Sequence, residues 1–212
     1  MTSFETAHVV EAYREICEDR IEIISDGDRT LIVVADGAGG TGDGHLAAET
    51  VIRETRANYA AIGNATDWSQ FLSQLDFRIS SGESTAVIVD IRSDRILGAS
   101  VGDSCAWVID GPDITDLTRT QIRKPLLGSH EAKPAPFWHG QLDGILLVGS
   151  DGFFDYAKRD RITPLIGRTD FFAVPRACID LVRLPSGDLW DDTAIVACRM
   201  RRSAASRKRY TI

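Results

Sequence analysis

Asp36, Asp103, Asp151 and Asp191 each stand at the edge of a strongly apolar run. LIVVAD ends at Asp36, ILGASVGD at Asp103 and ILLVGSD at Asp151, while Asp191 stands just before TAIVAC. A carboxylate flanking a buried strand has to be solvated, paired or bound to a cation, because burying it alone costs several kcal/mol. Asp36, Asp103 and Asp151 also adjoin a glycine. Such acids point to strand ends converging on a hard divalent cation, which prefers oxygen ligands.

Taken singly, each motif has a plainer reading. In Asp36-Gly37-Ala38-Gly39-Gly40 the glycines allow carbonyls to turn toward a cation, yet the same five residues describe a tight turn with a solvated acid. Gly102-Asp103-Ser104 and Ser150-Asp151-Gly152 are ordinary turn chemistry, with Asp103 the one that most resembles a simple turn residue. Asp191-Asp192 reads equally as an acidic loop. Arg14 has the planar fork that matches two phosphate oxygens, but its spacing to Glu18 also fits a helix-surface ion pair. Gly82-Glu83-Ser84-Thr85-Ala86 opens a β run with small residues that let a loop pass close to a metal. The specificity lies in the ordered combination.

The elements that must position these residues follow from periodicity. Runs 21–26 and 31–36 read as strands joined by a turn at 26–28. Helical spacing recurs over 46–61 and 67–79. Runs 85–91, 95–101, 106–109 and 114–117 are β-branched and too closely spaced for crossover helices, so they should pair antiparallel. Segment 119–143, with Pro125, Pro134 and Pro136, reads as an irregular flap. A strand at 145–149, a helix at 171–184 and a strand at 193–200 complete an α+β order, a sandwich rather than a doubly wound sheet.

At 212 residues and 43% hydrophobic composition, the chain suits one domain, expected over 1–202. The net charge of -7 excludes a general attraction to nucleic acid. Its cations gather at one end: Arg199, Arg201, Arg202, Arg207, Lys208 and Arg209 leave an acidic body and a basic tail over 203–212, expected to be disordered. The four cysteines form no C-x-x-C pair and the four histidines no ligand spacing, which favours reduced thiols, a cytoplasmic setting and no zinc. The N-terminus lacks the pattern of a signal peptide, and no apolar run is long enough to span a bilayer, so no membrane partner is expected.

In order, the motifs resemble those of the metal-dependent protein phosphatases, the type 2C class of serine/threonine phosphatases. They are R-x-x-x-E-D at 14–19, DGxGG at 36–40, G-x-S-T-A at 82–86, GDS at 102–104, SDG at 150–152 and the Asp191-Asp192 pair before the last strand. The likeness covers the chain apart from segment 119–143 and the tail. It implies an αββα sandwich, two antiparallel sheets flanked by helices, and a centre of two Mn²⁺ or Mg²⁺ ions. Asp36 would bridge the ions, the Gly37 carbonyl would join the second, and Asp151 and Asp191 would complete the first. Glu18 and Asp19 would hold metal-bound waters or the second ion, Arg14 would grip the substrate phosphate, and Asp103 with Asp151 would form the third-ion site of many members. The reaction implied is attack of a metal-activated water on phosphoserine or phosphothreonine in a protein, with no phosphoenzyme and with a kinase as functional opposite. Two positions depart from the pattern: Ala38 stands where many members carry His, and Asp192 where Asn is usual. A pseudophosphatase that binds phosphoproteins, and a hydrolase of small phosphate esters, are the competing readings.

Overall fold

The computed structural model describes residues 4–13, 15–38 and 42–201; Arg14, Gly39, Gly40 and the tail 203–212 lie outside the described residues. Strands β1 (Phe4–Glu11), β2 (Asp19–Asp26) and β3 (Arg29–Ala38) come first. Helices α1 (Gly44–Asn58) and α2 (Ala65–Asp76) follow. Next come β4 (Glu83–Ser84), β5 (Ala86–Ile91), β6 (Ile96–Val101), β7 (Cys105–Asp110), β8 (Asp113–Asp116), β9 (Ala135–His139) and β10 (Ile145–Gly149). The chain then runs through α3 (Asp151–Phe154), α4 (Arg159–Arg168) and α5 (Val174–Val182) to β11 (Thr193–Met200).

Two antiparallel sheets result, one ordered β1-β11-β10-β7-β8 and the other β2-β3-β5-β6-β9, with β4 added beside β3. The expected αββα sandwich is therefore present. Its cause is visible along β3, where every residue from Thr30 to Ala35 is buried. Side chains alternate across a strand. Leu31, Val33 and Ala35 face α1 and α2, alongside Trp68, Leu72 and Leu75, while Ile32 and Val34 face the other sheet. β10 and β11 repeat the device: Leu146, Val148 and Val196 enter the central core, and Leu147 and Ile195 pack under α5 with Phe153 and Ile179. A strand covered on both faces needs an unbroken apolar run, and each such Val, Leu or Ile contributes roughly 1.5–3 kcal/mol. The carboxylates can only stand where those runs stop.

Antiparallel pairing then decides where the run ends meet. Asp19 at the start of β2 lies opposite Asp36 near the end of β3. Gly149 at the end of β10 lies opposite Cys105 at the start of β7 and Ile195 near the start of β11. One edge of the sandwich thus gathers termini from both sheets.

Several elements were not legible in advance. β9 lies inside the segment expected to be irregular, and Pro136 is tolerated there because β9 is the outer strand of its sheet. β1 is an edge strand whose polar alternation hides it. α4 carries Pro164 inside the helix, which obscures its pattern. Among the described residues no helix is long and apolar enough to cross a membrane.

One buried ion pair braces the site-bearing sheet. Asp90 on β5 is fully buried and accepts from Arg29 at 2.9 and 2.7 Å, with Arg92 at 3.2 Å and the Trp68 indole at 3.4 Å. Removing Arg29 strips Asp90 of its bidentate partner. Arg29→Ala should lower stability by about 3 kcal/mol, read as a lower urea midpoint; an unchanged midpoint would show that Arg92 alone suffices.

Candidate metal centre

Asp36, Asp103 and Asp151 come from the end of β3, the β6–β7 turn and the first turn of α3, and each offers a carboxylate oxygen within 4.8 Å of the others. They line a cleft of about 160 Å³ together with Glu18, Gly37, Ala38, Thr85, Lys124, Leu126, Asp191 and Asp192. Asp191 shares the cleft but stands outside the tight group of three. Asp19 lies deeper, only 2% exposed. The structure therefore gathers every expected acid at one place, with the phosphate-gripping role of Arg14 left outside the described residues. Asp103, whose sequence context looked most like a plain turn, is one of the three acids that draw within 4.8 Å of one another.

Hydroxyl groups and glycines fix this arrangement. The buried Ser150 hydroxyl donates to Asp19 Oδ2 at 2.6 Å and accepts from the Ala194 amide at 2.9 Å, so one side chain joins the two sheets below the acids. Thr85 accepts from the Asp36 amide at 3.1 Å and contacts the Ser104 hydroxyl at 2.7 Å. Ser84 donates to the Asp36 carbonyl at 3.1 Å. The G-x-S-T-A motif thus holds Asp36 by its backbone, a role beyond simply leaving room. A Cβ on Gly37 would collide with the backbone of Gly44, and one on Gly152 with the Asp192 carbonyl. Only glycine lets the β3 end meet the start of α1 and lets α3 begin against the β11 entry.

Asp192 has a structural task that its sequence position did not reveal. Its carboxylate accepts from the Tyr13 amide at 2.6 Å and the Glu18 amide at 2.7 Å. Both ends of the β1–β2 connection, which carries Arg14, are tied to the entry of β11. The hydroxyl of Ser150 was likewise missed; the available signal was a small polar residue closing the apolar run ILLVG just before an acid.

Crowding these groups has an electrostatic consequence. Burial pushes the Asp36 carboxyl well above the ordinary 3.8, and repulsion from Asp19, Asp151, Asp103 and Asp191 adds to it. Asp19 rises to about 7, chiefly through burial and then through Asp192 and Asp151, with the Ser150 hydroxyl opposing the shift. Asp151 rises to about 6 through burial and the charges of Asp103 and Asp191. Asp19 Oδ1 is buried with no hydrogen-bond partner, and the Asp19 carboxyl lies beside that of Asp36. Among the described residues no Lys or Arg pairs with Asp19, Asp36 or Asp191. An all-oxygen donor set with a buried, donorless carboxylate oxygen fits Mg²⁺ or Mn²⁺, and a divalent charge would offset the mutual repulsion.

With the geometry in hand, comparison with known proteins is informative. No protein-family model matches this sequence, and no curated relative does. Solved structures do match. A bacterial serine phosphatase carrying an arginine-to-alanine substitution superposes with a TM-score of 0.78 at 22% identity, over 94% of this chain and 99% of that one. Stp1 of Staphylococcus aureus, a serine/threonine phosphatase, gives 0.75 at 19% identity over 94% and 96%. The catalytic domain of the serine/threonine protein phosphatase PstP, in complex with two manganese ions, gives 0.77 at 18% identity over 94% and 99%. At these identities the likeness establishes the fold: this chain has the architecture of bacterial serine/threonine phosphatases across nearly its whole length.

Two measurements test the centre. Ser150→Ala leaves a buried carboxylate oxygen and a buried amide without their shared partner, so stability in chelator should fall by about 2 kcal/mol; no change in urea midpoint would mean that Ser150 bridges nothing of consequence. The raised carboxyls bind protons more tightly in the folded than in the unfolded chain. Their contribution to metal-free stability is therefore full below the ordinary 3.8 and is lost as pH rises through about 6 for Asp151 and about 7 for Asp19. Mn²⁺ competes with those protons, so it should raise Tm more at pH 7.5 than at pH 5. A metal-induced shift equal at both values would count against these carboxylates as the ligands.

Proposed function

We propose that this chain is a metal-dependent phosphatase that hydrolyses phosphoserine and phosphothreonine in proteins. The observation that carries the proposal is the convergence of Asp36, Asp103 and Asp151, with Asp191 beside them and Asp19, whose Oδ1 has no hydrogen-bond partner, below, at one edge of a sandwich with the serine/threonine phosphatase fold. Asp36, Asp151, Asp191 and the Gly37 carbonyl would hold two Mn²⁺ or Mg²⁺ ions, with Glu18 and Asp19 orienting solvent around them. Bound there, such ions supply Lewis acidity toward phosphoryl oxygens and bring the pKa of a coordinated water near neutrality.

The chain's own residues do the rest. Ser150, Thr85 and Ser84 keep the acids in register, which is the preorganisation that electrostatic catalysis requires. Asp192 ties down the amides of Tyr13 and Glu18, which bracket Arg14 in the sequence, and the Arg14 guanidinium would suit the phosphoryl group of the substrate. Ala38 lines the cleft and has no proton to give, so the β3 end supplies no general acid to the departing serine or threonine oxygen.

The surroundings favour a protein substrate over a small ester. Tyr156 and Trp190 stack at 5.3 Å with rings 3° from parallel, both exposed, and Trp190 immediately precedes Asp191. Tyr13 and Ile16 are likewise exposed, on the β1–β2 connection whose Tyr13 and Glu18 amides bond Asp192 of the cleft. Apolar and aromatic rims of this kind suit a peptide backbone and its side chains. Four free cysteines support a reducing, cytoplasmic setting, in which a protein kinase would be the opposing enzyme.

The test is hydrolysis of an aryl phosphate and of a phosphothreonine peptide in Mn²⁺ and in chelator. Activity should vanish in chelator, and Asp36→Ala and Asp151→Ala should each cost at least about a hundredfold in kcat, above the scale of disturbing an outer partner of a metal. Metal-independent turnover, or full activity in both variants, would refute the mechanism. Metal binding without turnover would instead identify a phosphoprotein-binding module, and a strong preference for the small ester would identify a different substrate class.

A further inference from the structure

Asp103, at the edge of the cleft, already has a cation as its partner. Each residue of the Gly102-Asp103-Ser104 turn is tied to one of three consecutive residues beyond β8. The Gly102 amide donates to the Ile122 carbonyl at 3.2 Å, Arg123 Nε donates to Asp103 Oδ2 at 2.7 Å, and Gln121 Nε2 donates to the Ser104 carbonyl at 2.8 Å. The same guanidinium reaches Asp155 Oδ2 at 2.7 Å through Nη2 and lies 3.9 Å from Asp151 Oδ2. A few residues on, Leu127 exchanges two backbone hydrogen bonds of 3.0 Å with Ser84, the neighbour of the threonine that pins Asp36. The strip bearing Arg123 is therefore fastened on both sides of the residue, which holds its solvent-exposed guanidinium against three carboxylates.

Asp103 and Asp151 are two of the three acids whose ligand oxygens lie within 4.8 Å of one another. A guanidinium stays charged at any pH the protein meets, and its fork can hold two carboxylates at once. Cation and cation compete for the same oxygens: a divalent ion seated between Asp103 and Asp151 would have to push Arg123 from Asp103 Oδ2 and tolerate its charge nearby. The other acids of the cleft, Asp36, Asp19 and Asp191, have no such resident partner among the described residues.

We propose that Arg123 is a positioning residue that serves as the built-in counter-cation of the Asp103–Asp151 corner and takes the place of a third divalent ion, so that this chain loads two ions rather than three. The inference rests on the reading of the acid cluster as a two-ion centre.

The experiment is calorimetric titration of the chelator-treated full chain with MnCl₂, for the wild type, Arg123→Ala and Arg123→Lys. Circular dichroism confirms the fold of each; Arg123 is 62% exposed, so its removal opens no core cavity. The wild type should bind two Mn²⁺ per chain. Arg123→Ala should gain a further, weaker Mn²⁺, which Asp103→Asn in the same background abolishes. Arg123→Lys keeps a charge without the fork and should bind any third ion roughly fivefold more weakly than Arg123→Ala, the scale of one exposed ion pair. Superimposable wild-type and Arg123→Ala isotherms, weaker binding in Arg123→Ala, or three ions in the wild type would each overturn the proposal while leaving the two-ion reading intact. Absence of Mn²⁺ binding in the wild type would remove that reading and this inference together.

Discussion

Carboxylates drawn out of water and placed against one another repel, and that repulsion is the constraint around which this molecule is organised. Asp36, Asp103 and Asp151 lie within 4.8 Å by their ligand oxygens, with Asp191 beside them and Asp19 below. Such a group can be relieved by protons, by a guanidinium or by divalent ions. Protons relieve it where the carboxyls have been pushed up, as those of Asp36, Asp19 and Asp151 have been. A guanidinium relieves the Asp103 side. Among the described residues Asp36 has no ion-paired Lys or Arg, although Lys124 lines the same cleft, and a hard cation matches its oxygens in both charge and chemistry.

Holding repelling groups together requires a rigid frame, and the sandwich provides it at small cost in side chains. The apolar runs of β3, β10 and β11 are locked between two cores on each face, so their ends cannot drift apart. Small hydroxyl residues then fasten the ends to one another. Ser150 crosses from Asp19 on one sheet to Ala194 on the other, and Thr85 with Ser104 holds the Asp36 backbone. Hydroxyls suit this task because each can donate to a carboxylate or carbonyl while accepting from an amide, and none adds charge. Glycines at 37 and 152 permit approaches that any side chain would block. Fixed donors and a fixed cluster of charge are the ingredients of electrostatic catalysis, since nothing has to reorganise when the reaction begins.

The two departures from the phosphatase pattern acquire different meanings once the neighbours are known. Asp192 does add negative charge near Asp19, and it contributes to raising that carboxyl. Its two hydrogen bonds to the amides of Tyr13 and Glu18 also give it a mechanical role, for which two carboxylate oxygens serve where an amide offers a single acceptor. Ala38 remains a gap in the chemistry: the residue faces the cleft and carries no proton donor.

Much of this was legible in the chain. Apolar runs ending in acids marked the strands of both sheets, because a strand buried on two faces must be apolar throughout and can turn polar only where it leaves the core. The order of the short motifs pointed to the αββα architecture and to each acid now found in the cleft. Edge strands β1 and β9 and helix α4 escaped notice, since an element packed on one side only, or interrupted by proline, carries a weak period. What the sequence could not determine is which acids draw closest together and which carry a resident partner. Asp103 resembled a turn residue, and nothing near it in the chain announces Arg123; Ser150 resembled the start of a turn, and nothing announces Asp19, 131 positions away. Those pairings arise only when antiparallel strands bring distant ends to one edge, because distances of a few ångströms across a fold are set by packing and not by separation along the chain.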